Sequence, residues 1–85
     1  INCVIHIHQK IMWLELIKNG YMATSPNAEY GSRALYKELI ELIKNNSKSD
    51  PIVIAMSGHE DGILVAGSSI NITLDKIMEL YNKYI

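Results

Sequence analysis

The sequence predicts an α/β domain whose mixed or antiparallel sheet is covered by helices. Three observations predict it. Val4 to His8 is apolar and β-branched at every position that is not histidine, which is strand composition. Ile52–Met56 and Ile63–Ala66 are continuous apolar runs, the signature of strands buried on both faces. Three further stretches space their apolar residues with a helical period. The order is strand, helix, helix, strand, strand, helix, which suits a sheet flanked by helices and not a purely parallel one.

Each element has local reasons. After His8 the period changes: Met12, Trp13, Leu16 and Ile17 make a helical stripe, with Lys10, Glu15 and Lys18 left for water. Asn19-Gly20 stops that helix, because glycine accepts the left-handed conformation. Trp13, the only tryptophan, is a predicted core anchor. Tyr21–Tyr30 is a connecting loop with turn chemistry at Ser25-Pro26-Asn27. Ser32 is an N-cap for a helix running to about Lys44, with Leu35, Leu39, Leu42 and Ile43 inward. Arg33, Lys37, Glu38 and Glu41 then form its solvated face. Asn45–Asp50 is a polar loop ended by Pro51. The two apolar runs flank the turn Ser57–Gly62 and are expected to pair as an antiparallel hairpin. Gly67–Ile72 reads as loop, and Thr73 as the N-cap of a last helix facing inward through Leu74, Ile77, Met78, Tyr81, Tyr84 and Ile85.

Composition excludes several classes. The 85 residues suit one small domain spanning 1–85, and 48% hydrophobic content argues against disorder. A net charge of −1, with charges of both signs interspersed, gives no field or patch for nucleic acid. No apolar run approaches the roughly 20 residues that span a bilayer, and no signal peptide is evident, so the expected location is cytoplasmic. Cys3 is the single cysteine, which rules out an internal disulfide and a thiolate zinc knuckle. On its strand it lies on the face opposite the histidines, as a small hydrophobe.

All three histidines sit in two places, His6 and His8 on the first strand and His59 in the turn Ser57–Gly62. Alternation puts His6 and His8 on one strand face, roughly 7 Å apart along the chain. Two such imidazoles can share a metal ion, with His59 as third nitrogen where the fold brings it there. Three protein ligands and an open position describe a catalytic site, since structural zinc sites take four. The alternative is a pair of half-buried histidines with no ligand. Glu60 and Asp61 beside His59 are either partners that orient an imidazole, further ligands, or solvent-facing loop charges. Gly58 and Gly62 are expected to supply unusual backbone angles around His59.

These stretches carry a resemblance. Ile1–His8 with the helix after it resembles the "vnavvHtHs" strand of the class II aldolase/adducin family. "PIVIAMSGHEDGILVAGSSINIT" resembles that family's later hairpin, "vllrnHGvvvvGktl", and "SPNAEYGSRALYKEL" resembles its "pyaegGseela" helix start. The likeness covers most of the chain in the right order. It departs from the pattern where Glu60 and Asp61 separate His59 from Gly62, and in a shorter stretch between the histidine segments. The family's glycine-rich and serine-rich phosphate loops and its acidic catalytic residue lie upstream of its His-x-His strand. The resemblance therefore implies the central and C-terminal part of a three-layer α/β/α domain, lacking its N-terminal part. It implies His6, His8 and His59 as ligands of a divalent metal, usually Zn2+, with Mn2+, Co2+ or Fe2+ as alternatives. It implies aldolase, epimerase or dehydratase chemistry on sugar phosphates, in a homo-oligomer. Glu60 is the candidate left for the acid/base role, and slow or absent turnover is expected of these 85 residues. The contrasting expectation is a non-catalytic, adducin-like interaction module or an inactive fragment. The three histidines favour the first.

Overall fold

The structure, a computed structural model, describes all of residues 1–85. Six elements follow one another: β1 (Cys3–His8), α1 (Lys10–Lys18), α2 (Arg33–Asn45), β2 (Ile52–Ala55), β3 (Gly62–Gly67) and α3 (Ile70–Tyr84). The three strands form one sheet in the order β1-β3-β2, antiparallel throughout. β3 is central because its run Ile63–Ala66 is apolar on both sides and can be paired and covered everywhere.

Register decides which face each residue serves. Ile5 pairs with Val65 and Val65 with Val53, while His6 pairs with Leu64 and Leu64 with Ile54. One face thus collects Ile7, Val53, Ala55, Ile63 and Val65, packed under Met12 and Leu16 of α1 and Leu80 of α3. The other collects Ile52, Ile54, Leu64 and Ala66 under Leu35, Leu39, Leu42 and Ile43 of α2. The helices lie on both faces of the sheet. The apolar residues of α2 group with β2 and β3 and with nothing on β1. On that face β1 is left open, so Val4, His6 and His8 are exposed while Cys3, Ile5 and Ile7 are half-buried.

The stop at Gly20 and the cap at Ser32 act as expected, and Gln9 adds a cap not expected from the sequence. The Gln9 side chain caps α1 by accepting from Met12 N, and Gly20 has φ +75° just past its end. Ser32 caps α2 through Leu35 N. Two readings are corrected at α3. Its N-cap is Ser69, accepting from Ile72 N, so the helix begins at Ile70. Thr73 is fully buried inside it and donates its hydroxyl proton to Ser69 O. The inward face is also rotated. Thr73, Ile77, Leu80 and Tyr84 point to the core, and Leu74, Met78, Tyr81 and Ile85 are exposed. Apolar residues cover nearly half the circumference of this helix, and the sheet uses only one side of that arc. On α1, Ile11, Leu14 and Ile17 are likewise exposed. Trp13 is half-buried against the α1 side of the core and donates its indole N–H to Met56 O at 3.0 Å, fixing α1 to the end of β2. No helix is long and apolar enough to cross a membrane.

Candidate metal centre

The site is built at one end of the sheet, where the last residues of β1 meet the turn between β2 and β3. Period-two alternation turns His6 and His8 to the same face. The turn is closed by backbone bonds: His59 N donates to Met56 O, Gly62 N to His59 O, and Met56 N to Gly62 O. His8 is paired with Gly62, so the turn stands directly beside it. Gln9 N donates to Asp61 O at 3.0 Å and ties the start of α1 to the same turn.

The three imidazoles converge. His8 Nε2 lies 3.0 Å from His6 Nε2 and 3.1 Å from His59 Nε2, and one nitrogen from each ring falls within 4.8 Å of the others. The His6 ring also places Nδ1 3.1 Å from Ile63 O. A carbonyl only accepts, so neutral His6 carries its proton on Nδ1 and offers a lone pair at Nε2. A single proton on His8 Nε2 serves one of its two nitrogen contacts well and leaves the other poorly paired. A cation between the rings would satisfy all three lone pairs. Nitrogens bound at about 2.0–2.1 Å around one tetrahedral ion stand about 3.3 Å apart, close to the 3.0 and 3.1 Å that separate His8 Nε2 from its two neighbours. The residues present could hold a divalent metal, through His6, His8 and His59.

Electrostatics point the same way. Partial burial, then the neighbouring His8 and His6, hold the pKa of His59 below the ordinary histidine value, and Asp61 opposes them. A depressed pKa favours the neutral imidazole, the form that can ligate a metal. Asp61 adopts φ +65°, and its Oδ1 is buried without a hydrogen-bond partner. Glu60 points elsewhere: its carboxylate, 71% exposed, meets Lys10 Nζ at 3.5 Å and is not among the clustered groups.

Three features of the site carried no sequence signal of their role. Tyr30, read as loop, lies over the imidazoles with its ring centroid 4.2 Å from that of His59 and 6.2 Å from that of His6. Gly58 and Gly62 do not supply positive φ, which falls on Asp61 instead. They supply space: a Cβ on Gly58 would collide with Ala28 O, and one on Gly62 would lie 2.5 Å from His59 Cδ2. Glu38, read as a solvated helix charge, is half-buried and accepts from Ser25 N at 2.7 Å, anchoring the loop that carries Tyr30. No protein family, curated protein or solved structure was found to match this chain.

Proposed function

We propose that this chain carries the divalent-metal centre of a class II aldolase/adducin-type domain, of three-layer α/β/α form, acting on sugar phosphates as an aldolase, epimerase or dehydratase. The observation that carries the reading is the convergence of the His6, His8 and His59 nitrogens within 4.8 Å on two elements far apart in sequence. The resemblance of both histidine segments to that family supplies the reaction class. A divalent ion held there, zinc or else manganese, cobalt or iron, supplies Lewis-acid polarisation of a substrate oxygen. Neutral imidazoles suit this, because they leave the positive charge undiminished. His6 and His8 are exposed, so the candidate ligand nitrogens lie at the surface.

Proton transfer is the weaker half of the site. A positioned acid/base contributes about 10²–10⁴-fold. Glu60 is the adjacent carboxylate in sequence, but its ion pair with Lys10 turns it aside. Turnover by this chain is therefore expected to be slow, with metal binding intact. Association into a homo-oligomer belongs to the same reading and is supported by exposed Ile11, Leu14, Leu74, Met78 and Tyr81. The test is metal analysis and zinc titration of the purified chain, followed by retro-aldol assays on ketose 1-phosphates with zinc or manganese supplied. A chain that takes up no divalent ion would refute the reading. Uptake without any sugar-phosphate binding would leave a metal site and remove the substrate class.

A further inference from the structure

We propose that Tyr30 is a positioning residue, one jaw of an aromatic clamp that holds the His59 imidazole aimed at His8. The proposal rests on the metal-centre reading and goes beyond it, since it concerns how the third ligand is kept in place.

His6 is held by its Nδ1 bond to Ile63 O. His59 has no comparable bond, and its one polar contact is the Nε2 approach to His8. A histidine whose second nitrogen is unfixed rotates about its side-chain bonds unless packing stops it. Packing stops it here. The ring sits against the bare Cα of Gly62, where a Cβ would lie 2.5 Å from Cδ2 and 3.1 Å from Cγ. Tyr30 lies nearly parallel to the imidazole, at 24° with centroids 4.2 Å apart. Tyr30 also lies near-parallel to His6, at 17° and 6.2 Å, so it covers both rings from one side.

The loop bearing Tyr30 is built to deliver it. Gly58 lets Ala28 O pack against the His59 turn, and Ala28 is buried there. Glu38 pins the loop's start through Ser25 N, and Ser25 O accepts from Ala28 N. Gly31, at φ +79°, turns the chain directly into the Ser32 cap of α2, so Tyr30 is fixed from both sides. Tyr30 itself is 66% exposed, too much for its burial to explain its position through core packing. The stacked face is what it contributes, and stacked aromatic pairs suffice for about a two- to tenfold effect on a coupled equilibrium.

The experiment compares the full chain with Tyr30→Phe and Tyr30→Leu, both at an exposed position where folding is not at risk. In the metal-free proteins the readout is the proton shifts of the His59 ring. They should be moved by the ring current of residue 30 in the parent and in Tyr30→Phe, and should relax toward ordinary values in Tyr30→Leu. With cobalt(II) and zinc, Tyr30→Leu should bind about two- to tenfold more weakly, with a correspondingly weaker visible cobalt absorption at sub-saturating metal. Tyr30→Phe should match the parent, because the hydroxyl plays no part. Unchanged ring shifts in Tyr30→Leu, or unchanged affinity with an unchanged cobalt spectrum, would overturn the clamp, as would a Tyr30→Phe variant as weak as Tyr30→Leu. A parent chain that binds neither ion would remove the metal centre, and the ring shifts would then decide the clamp alone.

Discussion

Replacing His8 by alanine is the most direct challenge to the metal centre. His8 Nε2 is the common neighbour of the other two, at 3.0 and 3.1 Å, so its loss removes the nitrogen that joins the set. Structural zinc sites with four ligands bind with about 10–16 kcal/mol, or about 2.5–4 kcal/mol per ligand. Removal of one ligand should weaken zinc binding by about 10²–10³-fold. The same quantity is visible in stability. Free zinc at one hundred times its dissociation constant stabilises a folded binder by about 2.7 kcal/mol. In a domain of this size each kcal/mol moves the melting temperature by about 4–8 °C, so zinc should raise it by roughly 10–20 °C. Calorimetric titration and thermal melting by circular dichroism, with and without zinc, read both numbers. His8 is exposed on an edge strand, so the metal-free variant should melt close to the parent. A variant that keeps the parent's zinc affinity, or a parent whose melting temperature ignores zinc, would refute the argument.

Acidification should weaken zinc binding as pH falls through about 6.5, where free histidine protonates, and titration calorimetry at pH 7.5 and 5.5 would show it. His59 also makes the metal-free fold pH-sensitive. Its folded pKa is depressed, so the unfolded chain binds more protons; its contribution is complete above about pH 6.5 and is lost as pH falls. Urea melts should show the parent losing more stability on acidification than His59→Ala, and the opposite order would contradict the shift. Leu16→Ala, at a fully buried contact between α1 and the sheet, should cost about 2–5 kcal/mol in urea unfolding; a cost below 1 kcal/mol would mean α1 is not seated there. Glu60→Gln should leave zinc affinity unchanged, since Glu60 faces Lys10, and a drop of tenfold or more would place its carboxylate at the ion.

Much of this arrangement is legible from residue order because it rests on periodicity. A period of two put His6 and His8 together, and the paired apolar runs with a glycine-bearing turn marked the hairpin. What failed to show has physical causes. The start of α3 was hidden because Ile70-Asn71-Ile72 is poor helix-forming sequence, and Ser69 outcompetes Thr73 as cap. The facing of α3 was hidden because its apolar arc is wide, and only the sheet decides that Leu80 goes in and Met78 stays out. Tyr30 had no period to reveal it, since a loop aromatic finds its partner only through the tertiary fold. The glycines were recognised and their purpose misread: what they avoid is collision with Ala28 and His59.

β3 contributes no ligand, yet it works as the ruler for the site. Both flanking strands are hydrogen-bonded to it, and the pairs His6–Leu64 and His8–Gly62 depend on one alignment. A slip of a single residue between β1 and β3 would turn both imidazoles toward Leu16 and Leu80 and push Ile5 and Ile7 into water. That error costs buried apolar surface whether or not any ion is present. The hydrophobic core therefore proofreads the histidine geometry, and ligand-ready nitrogens come as a by-product of ordinary sheet assembly.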